Sequence, residues 1–270
     1  MKQSFLVIFC FGSVLGLSHA ATYVSNFDSA PYAYDASLNG LDGWTVSGAS
    51  LPDVAKIAVS PFPTPVSGGQ GIYFGYQEID ASFAYLQRSG GDSLVGNGAG
   101  YTQFQAAYTI QDSVPTFVNR DSFGFTFRGA SNQNILTINL SPTLQSGSPQ
   151  LLPSRVDQYS WSSDFAAGNA NIGNLTEGQW STLNLLFTPS GVSDVAFSLK
   201  FQGVEAASGI LTGAATQSLG TYGFLWTPLD AADEGSNVLL IDDVSLIPEP
   251  SSSLLLCLAG LGLVVRRKRA

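Results

Sequence analysis

Val195-Ala196-Phe197-Ser198-Leu199-Lys200-Phe201 sets the reading of the chain. Large apolar side chains stand at every second position, with small or polar ones between. A strand puts such a set on one face, whereas a helix would throw Phe197 to the side opposite Val195 and Leu199. The same period recurs on both sides of this stretch. Phe123, Phe125 and Phe127 alternate with Gly124, Thr126 and Arg128. Leu136, Ile138 and Leu140 alternate with Thr137 and Asn139, and Leu183, Leu185 and Phe187 follow Trp180.

Further strand-like runs are Val54 to Val59, Ile72 to Tyr76, Phe83 to Leu86, Phe104 to Ile110, Tyr222 to Trp226 and Val238 to Leu246. Gly, Pro, Asn and Asp separate them, as at Pro61-Phe62-Pro63-Thr64-Pro65. No long window between the two ends carries a helical stripe. The pattern predicts an all-β domain, an antiparallel two-sheet β-sandwich with one wet and one buried face per strand.

Both ends differ from this middle. Residues 1–20 carry Lys2, an apolar run from Phe5 to Leu17, and Ser18-His19-Ala20. That is the order of a secretory signal peptide, formed as a short helix and cut between Ala20 and Ala21 by signal peptidase. At the other end Ile247 leads into Pro248-Glu249-Pro250. An apolar segment of about 251–265 follows, then Arg266, Arg267, Lys268 and Arg269. The prolines end the preceding strand because they donate no ladder hydrogen bond. The four cations stop the segment in the membrane and stay cytoplasmic. Ser251 to Val265 is 15 residues, roughly 22 Å of helix against a hydrocarbon core of roughly 30 Å. So short a transmembrane helix suits a brief lodging in the inner membrane.

Trimming both ends leaves residues 21–247 as one ectodomain. Cys10, Cys257 and His19 all lie in the trimmed segments. The mature domain therefore has no disulfide, no thiol nucleophile and no imidazole, which excludes Ser-His-Asp and Cys-His catalysis and metal sites built on His or Cys. It holds 19 acidic side chains against six basic ones (Lys56, Arg88, Arg120, Arg128, Arg155, Lys200), a difference of −13. Such a field repels nucleic acid and anionic surfaces, so nucleic acid is excluded as a partner. It tolerates neutral glycans and attracts divalent cations.

The tail of residues 248–270 resembles the PEP-CTERM sorting tail of Gram-negative bacteria, which also goes by the name of an ice-binding-protein C-terminal domain. That resemblance implies recognition and cleavage near Pro248-Glu249-Pro250 by an exosortase, an integral-membrane peptidase. It further implies release to the cell surface or into exopolysaccharide. Two stretches of the ectodomain, Glu177-Gly178-Gln179-Trp180-Ser181-Thr182-Leu183 and Leu240-Ile241-Asp242-Asp243-Val244-Ser245-Leu246, resemble strands of jelly-roll and concanavalin-like sandwiches. In such jelly rolls the first and last strands often share a structural calcium. Asn26, Asp28, Asp242 and Asp243 supply the oxygen ligands for that ion; no other cofactor is expected.

Among the tryptophans, Trp180 and Trp226 sit inside strand patterns and are read as core. Trp44, after the Leu41-Asp42-Gly43 turn, and Trp161, in the polar stretch Tyr159–Asp164, are the candidates for an exposed platform that stacks on sugar rings. The carboxylate pairs Glu78/Asp80 and Asp233/Glu234 are the only groups suited to a glycosidase. The expectation is an exported, non-catalytic surface or matrix protein with exopolysaccharide as ligand. The alternatives are a polysaccharide hydrolase or lyase, and a structural envelope protein without a glycan ligand.

Overall fold

The computed structural model describes residues 23–48, 55–59, 69–75, 83–90, 102–112, 121–142, 156–176, 178–228 and 237–248. Among the described residues fifteen strands form two antiparallel sheets, with a single 3₁₀ turn at Ala214–Thr216. The strands in chain order are β1 (Tyr23–Ser25), β2 (Trp44–Ser47), β3 (Ala55–Val59), β4 (Gln70–Phe74), β5 (Ala84–Ser89), β6 (Thr102–Asp112), β7 (Ser122–Gly129) and β8 (Asn134–Pro142). They continue as β9 (Val156–Ser162), β10 (Asn169–Thr176), β11 (Ser181–Ser190), β12 (Asp194–Phe201), β13 (Val204–Leu211), β14 (Leu219–Thr227) and β15 (Asn237–Pro248). The expected sandwich is the observed one. The expected signal helix and transmembrane helix, with Ala20 and Ala21, lie outside the described residues.

The first sheet runs β13-β12-β11-β6-β15-β4-β3, with β1 paired to β15; the second runs β10-β9-β8-β7-β14-β5-β2. The last two strands are therefore inserted among early ones: β15 between β6 and β4, and β14 between β7 and β5. This winding of one strand pair through both sheets is the jelly-roll arrangement.

Alternation in sequence becomes packing at the middle of the sandwich. Phe104 of β6 meets Phe127 of β7 edge-on at 5.0 Å between ring centroids, and Tyr108 meets Phe125 at 4.8 Å. Phe123, Phe125, Phe127, Val195, Phe197 and Leu199 are all buried, as their spacing predicts. Each such side chain contributes about 1.5–3 kcal/mol by leaving water. Phe201, the last of the leading set, is only partly buried and stacks on Tyr159 at 3.9 Å. Across the interlayer gap the hydroxyls of Tyr108 and Tyr159 are hydrogen-bonded at 2.5 Å.

The rims of the sheets are encumbered. Beside β3, the amides of Asp35 and Leu38 donate to the carbonyls of Ile57 and Ala55. Beside β2, Gly40 donates to the Trp44 carbonyl, and the Val46 amide donates to Asn39 Oδ1. The rims β10 and β13 are each bulged, at Ala170/Gly173 and opposite Leu199/Lys200.

One buried polar clasp fixes the start of β15. Asn237 Oδ1 accepts the Asp121 amide at 3.0 Å and its Nδ2 donates to the Asp121 carbonyl at 3.0 Å, while Asp121 Oδ2 accepts the Trp226 indole at 2.8 Å. Asn237→Ala strands both backbone groups of Asp121 in the core. It is expected to cost about 2–4 kcal/mol, read as a lowered urea midpoint with unchanged slope; a loss below about 0.5 kcal/mol would remove the clasp from the account.

Candidate functional site

The sorting tail leaves directly from the fold. Leu246 is buried opposite Phe104, Ile247 pairs with Gln103, and Pro248 pairs with Thr102 at the end of β15. Pro248 is tolerated there because it occupies the terminal rung. β1 lies along the same end of β15, with Tyr23 opposite Leu246. Glu249, Pro250, the apolar segment and Arg266 to Arg269 lie outside the described residues. Among the described residues no helix is long and apolar enough to cross a membrane.

Beside β1 and β15 lies a cleft of about 710 Å³ lined by Asn26, Tyr32, Asp42, Gln105, Asp243 and Ser245 among others. A bulge between Asp242 and Ser245 opens the ladder there, with Asp243 in the left-handed region at φ 48°. The four residues expected to hold calcium lie just after β1 and at the β15 bulge. Asn26 and Asp243 line the cleft. Asp28 Oδ1 instead accepts the amides of Gly69 and Gln70, at 2.8 and 2.9 Å. Asp242 is buried and its Oδ1 accepts the Asp243 amide at 2.8 Å. Among the described residues no three acidic side chains converge.

One wall of the cleft is a polar relay into the core. The Tyr32 hydroxyl donates to Asp42 Oδ2 at 2.5 Å and lies 2.9 Å from the Tyr23 hydroxyl, which accepts the Trp44 indole at 3.1 Å. The Arg88 guanidinium stands over the Tyr23 ring at 4.0 Å, and its Nη1 lies 3.3 Å from Asp42 Oδ2, near enough for an ion pair though not aligned for a hydrogen bond. Burial first, then the Asp42 carboxylate, push the Tyr32 phenol well above the usual tyrosine range; burial does the same for Tyr222. A phenol so held is a hydrogen-bond donor at neutral pH and not a base. The relay ties β1, β2 and β5 together.

The proposed sugar platform is overturned. Trp44 is 0% exposed, held by Tyr23, Tyr222 and the stacked ring of Phe224 at 5.8 Å. Trp161 is 5% exposed and meets Phe197 edge-on at 5.0 Å. The stretch read as a polar loop around Trp161 is in fact β9, whose inward positions are Tyr159 and Trp161. Trp226 is core as expected, while Trp180 is only half-buried. The pairs Glu78/Asp80 and Asp233/Glu234 fall outside the described residues.

Of the exposed aromatics among the described residues, Tyr34 lies between β1 and β2 at 69%, and Phe83 stands at the outer face of the second sheet. Phe83 is 41% exposed and sits 5.2 Å from the Tyr85 ring. Arg128 donates to the Tyr85 hydroxyl at 2.6 Å and its guanidinium lies 5.0 Å from that ring. Two glycines, Gly124 and Gly223, stand on the neighbouring strands of this face. A Cβ on Gly223 (φ 155°) would meet the Leu86 carbonyl oxygen at 2.1 Å. Both glycines are buried, so the surface open to a flat ring on this face is the Phe83–Tyr85 pair itself. The outward set Phe83, Tyr85, Gln87 was legible from the inward Ala84 and Leu86. The Arg128 contact, 43 residues away in sequence, had no local signal.

A family model described as the PEP-CTERM protein-sorting motif matches residues 246–269. No curated protein matches the chain. Among solved structures, a carbohydrate esterase of the Shiga toxin-encoding bacteriophage phi24B is similar at 13% identity, with 83% of this chain and 95% of that one covered and a TM-score of 0.46. The carbohydrate recognition domain of Emp47p is similar at 9% identity over 86% and 96%, with a TM-score of 0.47. An endo-beta-1,4-glucuronan lyase from the fungus Trichoderma reesei is similar at 10% identity over 84% and 95%, with a TM-score of 0.47. No residue role is carried over from them.

The raised phenols make stability depend on alkaline pH. In the unfolded chain a tyrosine ionises near pH 10; in the fold Tyr32, Tyr108 and Tyr222 ionise later. Their contribution is whole below about pH 10 and falls as pH rises toward the folded values. Thermal melts from pH 7 to 11 are expected to show a falling Tm above about 10, with these phenols silent in the ultraviolet until unfolding. Full tyrosinate absorbance from an intact fold would contradict this.

Proposed function

We propose that the chain is an exported, non-catalytic protein of the cell surface or exopolysaccharide matrix, lodged briefly in the inner membrane and released by an exosortase at Pro248-Glu249-Pro250. The observation that carries the reading is the junction: the matched sorting motif begins at Leu246, inside the last strand of the sandwich. The ectodomain and its address are one continuous piece. Support comes also from composition, since a domain without His or Cys and with 19 acidic side chains against six basic ones suits an exterior, glycan-rich medium. In cells that carry the peptidase, the mature protein is expected to end near Pro248 by mass spectrometry. Replacing Pro248, Glu249 and Pro250 by alanine is expected to leave Arg266–Ala270 attached and the protein in the membrane fraction. Intact tails on the bulk of the unaltered protein would defeat the reading.

Its contact with the matrix, in this reading, is the Phe83–Tyr85 pair, which takes a neutral sugar ring by stacking while Arg128 fixes the Tyr85 ring. Tyr85→Ala is expected to weaken retention on the cells' own exopolysaccharide by about 1 kcal/mol, roughly fivefold, with an unchanged melt. Equal retention of the variant would take the contact off this face and favour an envelope protein without a glycan ligand.

A further inference from the structure

Residues on opposite sides of β6 share a level. Thr102 of β6 is opposite Pro248 on one side and Phe187 of β11 on the other. β11 and β15 both run antiparallel to β6, so they head the same way, toward the end from which the tail leaves. β15 stops at Pro248. β11 goes on through Thr188, Pro189 and Ser190, then turns at Gly191-Val192-Ser193 into β12. Three further residues of strand carry this hairpin roughly 10 Å beyond the Thr102 level. Two residues, Glu249 and Pro250, separate Pro248 from the apolar segment, so the three steps of chain from 248 to 251 also reach roughly 10 Å at most.

The tip that stands there carries an apolar side chain at its point. Val192 is 100% exposed. No charged residue occurs from Gly178 to Ser193, one of several uncharged runs in the ectodomain. The first carboxylate, Asp194, is turned back: its Oδ1 accepts the Gly213 amide and the Ser193 hydroxyl, both at 2.9 Å. The chain upstream of Tyr23 leaves from this same end, because Tyr23 is opposite Leu246.

We propose that the β11–β12 hairpin tip, with Val192 at its point, is a lipid-contact element that seats the tethered precursor on the outer surface of the inner membrane. The occupant is the bilayer itself. The short junction after Pro248 holds the sandwich close, and the tip reaches the interface at the height where the apolar segment enters. This rests on the tethered precursor proposed above.

The test uses the full chain with Cys10→Ser and Cys257→Ser, incorporated in phosphatidylethanolamine–phosphatidylglycerol vesicles. An environment-sensitive fluorophore is placed on Val192→Cys or on Val204→Cys. Val204, 70% exposed at the opposite end of the same sheet, is the control. Flotation with the vesicles checks tethering first, and its failure sinks the tethered-precursor reading instead. Given flotation, the label at 192 is expected to shift to the blue, brighten severalfold and be quenched by a headgroup-borne nitroxide, while the label at 204 is not. Equal behaviour of the two labels in floating protein overturns the proposal. So does protection at 192 that arises only when the exosortase is added, which would give the tip to the peptidase.

Discussion

The final strand of the ectodomain is an interior strand of its sheet, and the rest of the architecture answers to that. β15 pairs with β6 along most of its length and with β4 and β1 on its other side. Its inward residues, Leu239, Ile241 and Leu246, face the second sheet as part of the buried core. β4 and β6 therefore have no partner in common until the last dozen residues of the domain arrive. The hydrogen-bond ladder of the first sheet and the aromatic interlock beneath it close together, late in the chain. Contacts of such long sequence separation make for slow, all-or-none folding.

That constraint also explains how the address is read. A tail that followed a long linker would say little about the domain before it. Here the matched motif overlaps the strand by Leu246, Ile247 and Pro248. Ile247 and Pro248, at the start of the matched motif, are ladder neighbours of Gln103 and Thr102, so the proposed processing and the fold would share a few residues of backbone.

Much of the fold was legible because its central strands alternate cleanly. Phe123 to Phe127, Leu136 to Leu140 and Val195 to Leu199 each declare one buried face. The strands that escaped detection are those whose faces are not so distinct. β10 and β13 are rims with mostly exposed, small or polar side chains, and neither has a period to read. β1 and β2 are short and owe their strand form to partners far away in sequence. Trp44 and Trp161 were misplaced for a related reason. A turn or a run of serines beside a tryptophan looks wet, but the register against Arg88 and Ile138 turns both rings inward. The tail was legible because its features are contiguous and need no tertiary neighbour.

The treatment of the sheet borders bears on self-association. Two copies of a sandwich meet most readily edge to edge. An unguarded border strand would recruit the next copy and grow a fibril. Here a return of the chain lies along β3, an asparagine side chain and a glycine amide occupy β2, and the two remaining borders are kinked out of straight register. Borders so treated offer a second copy no long straight run of open ladder to extend.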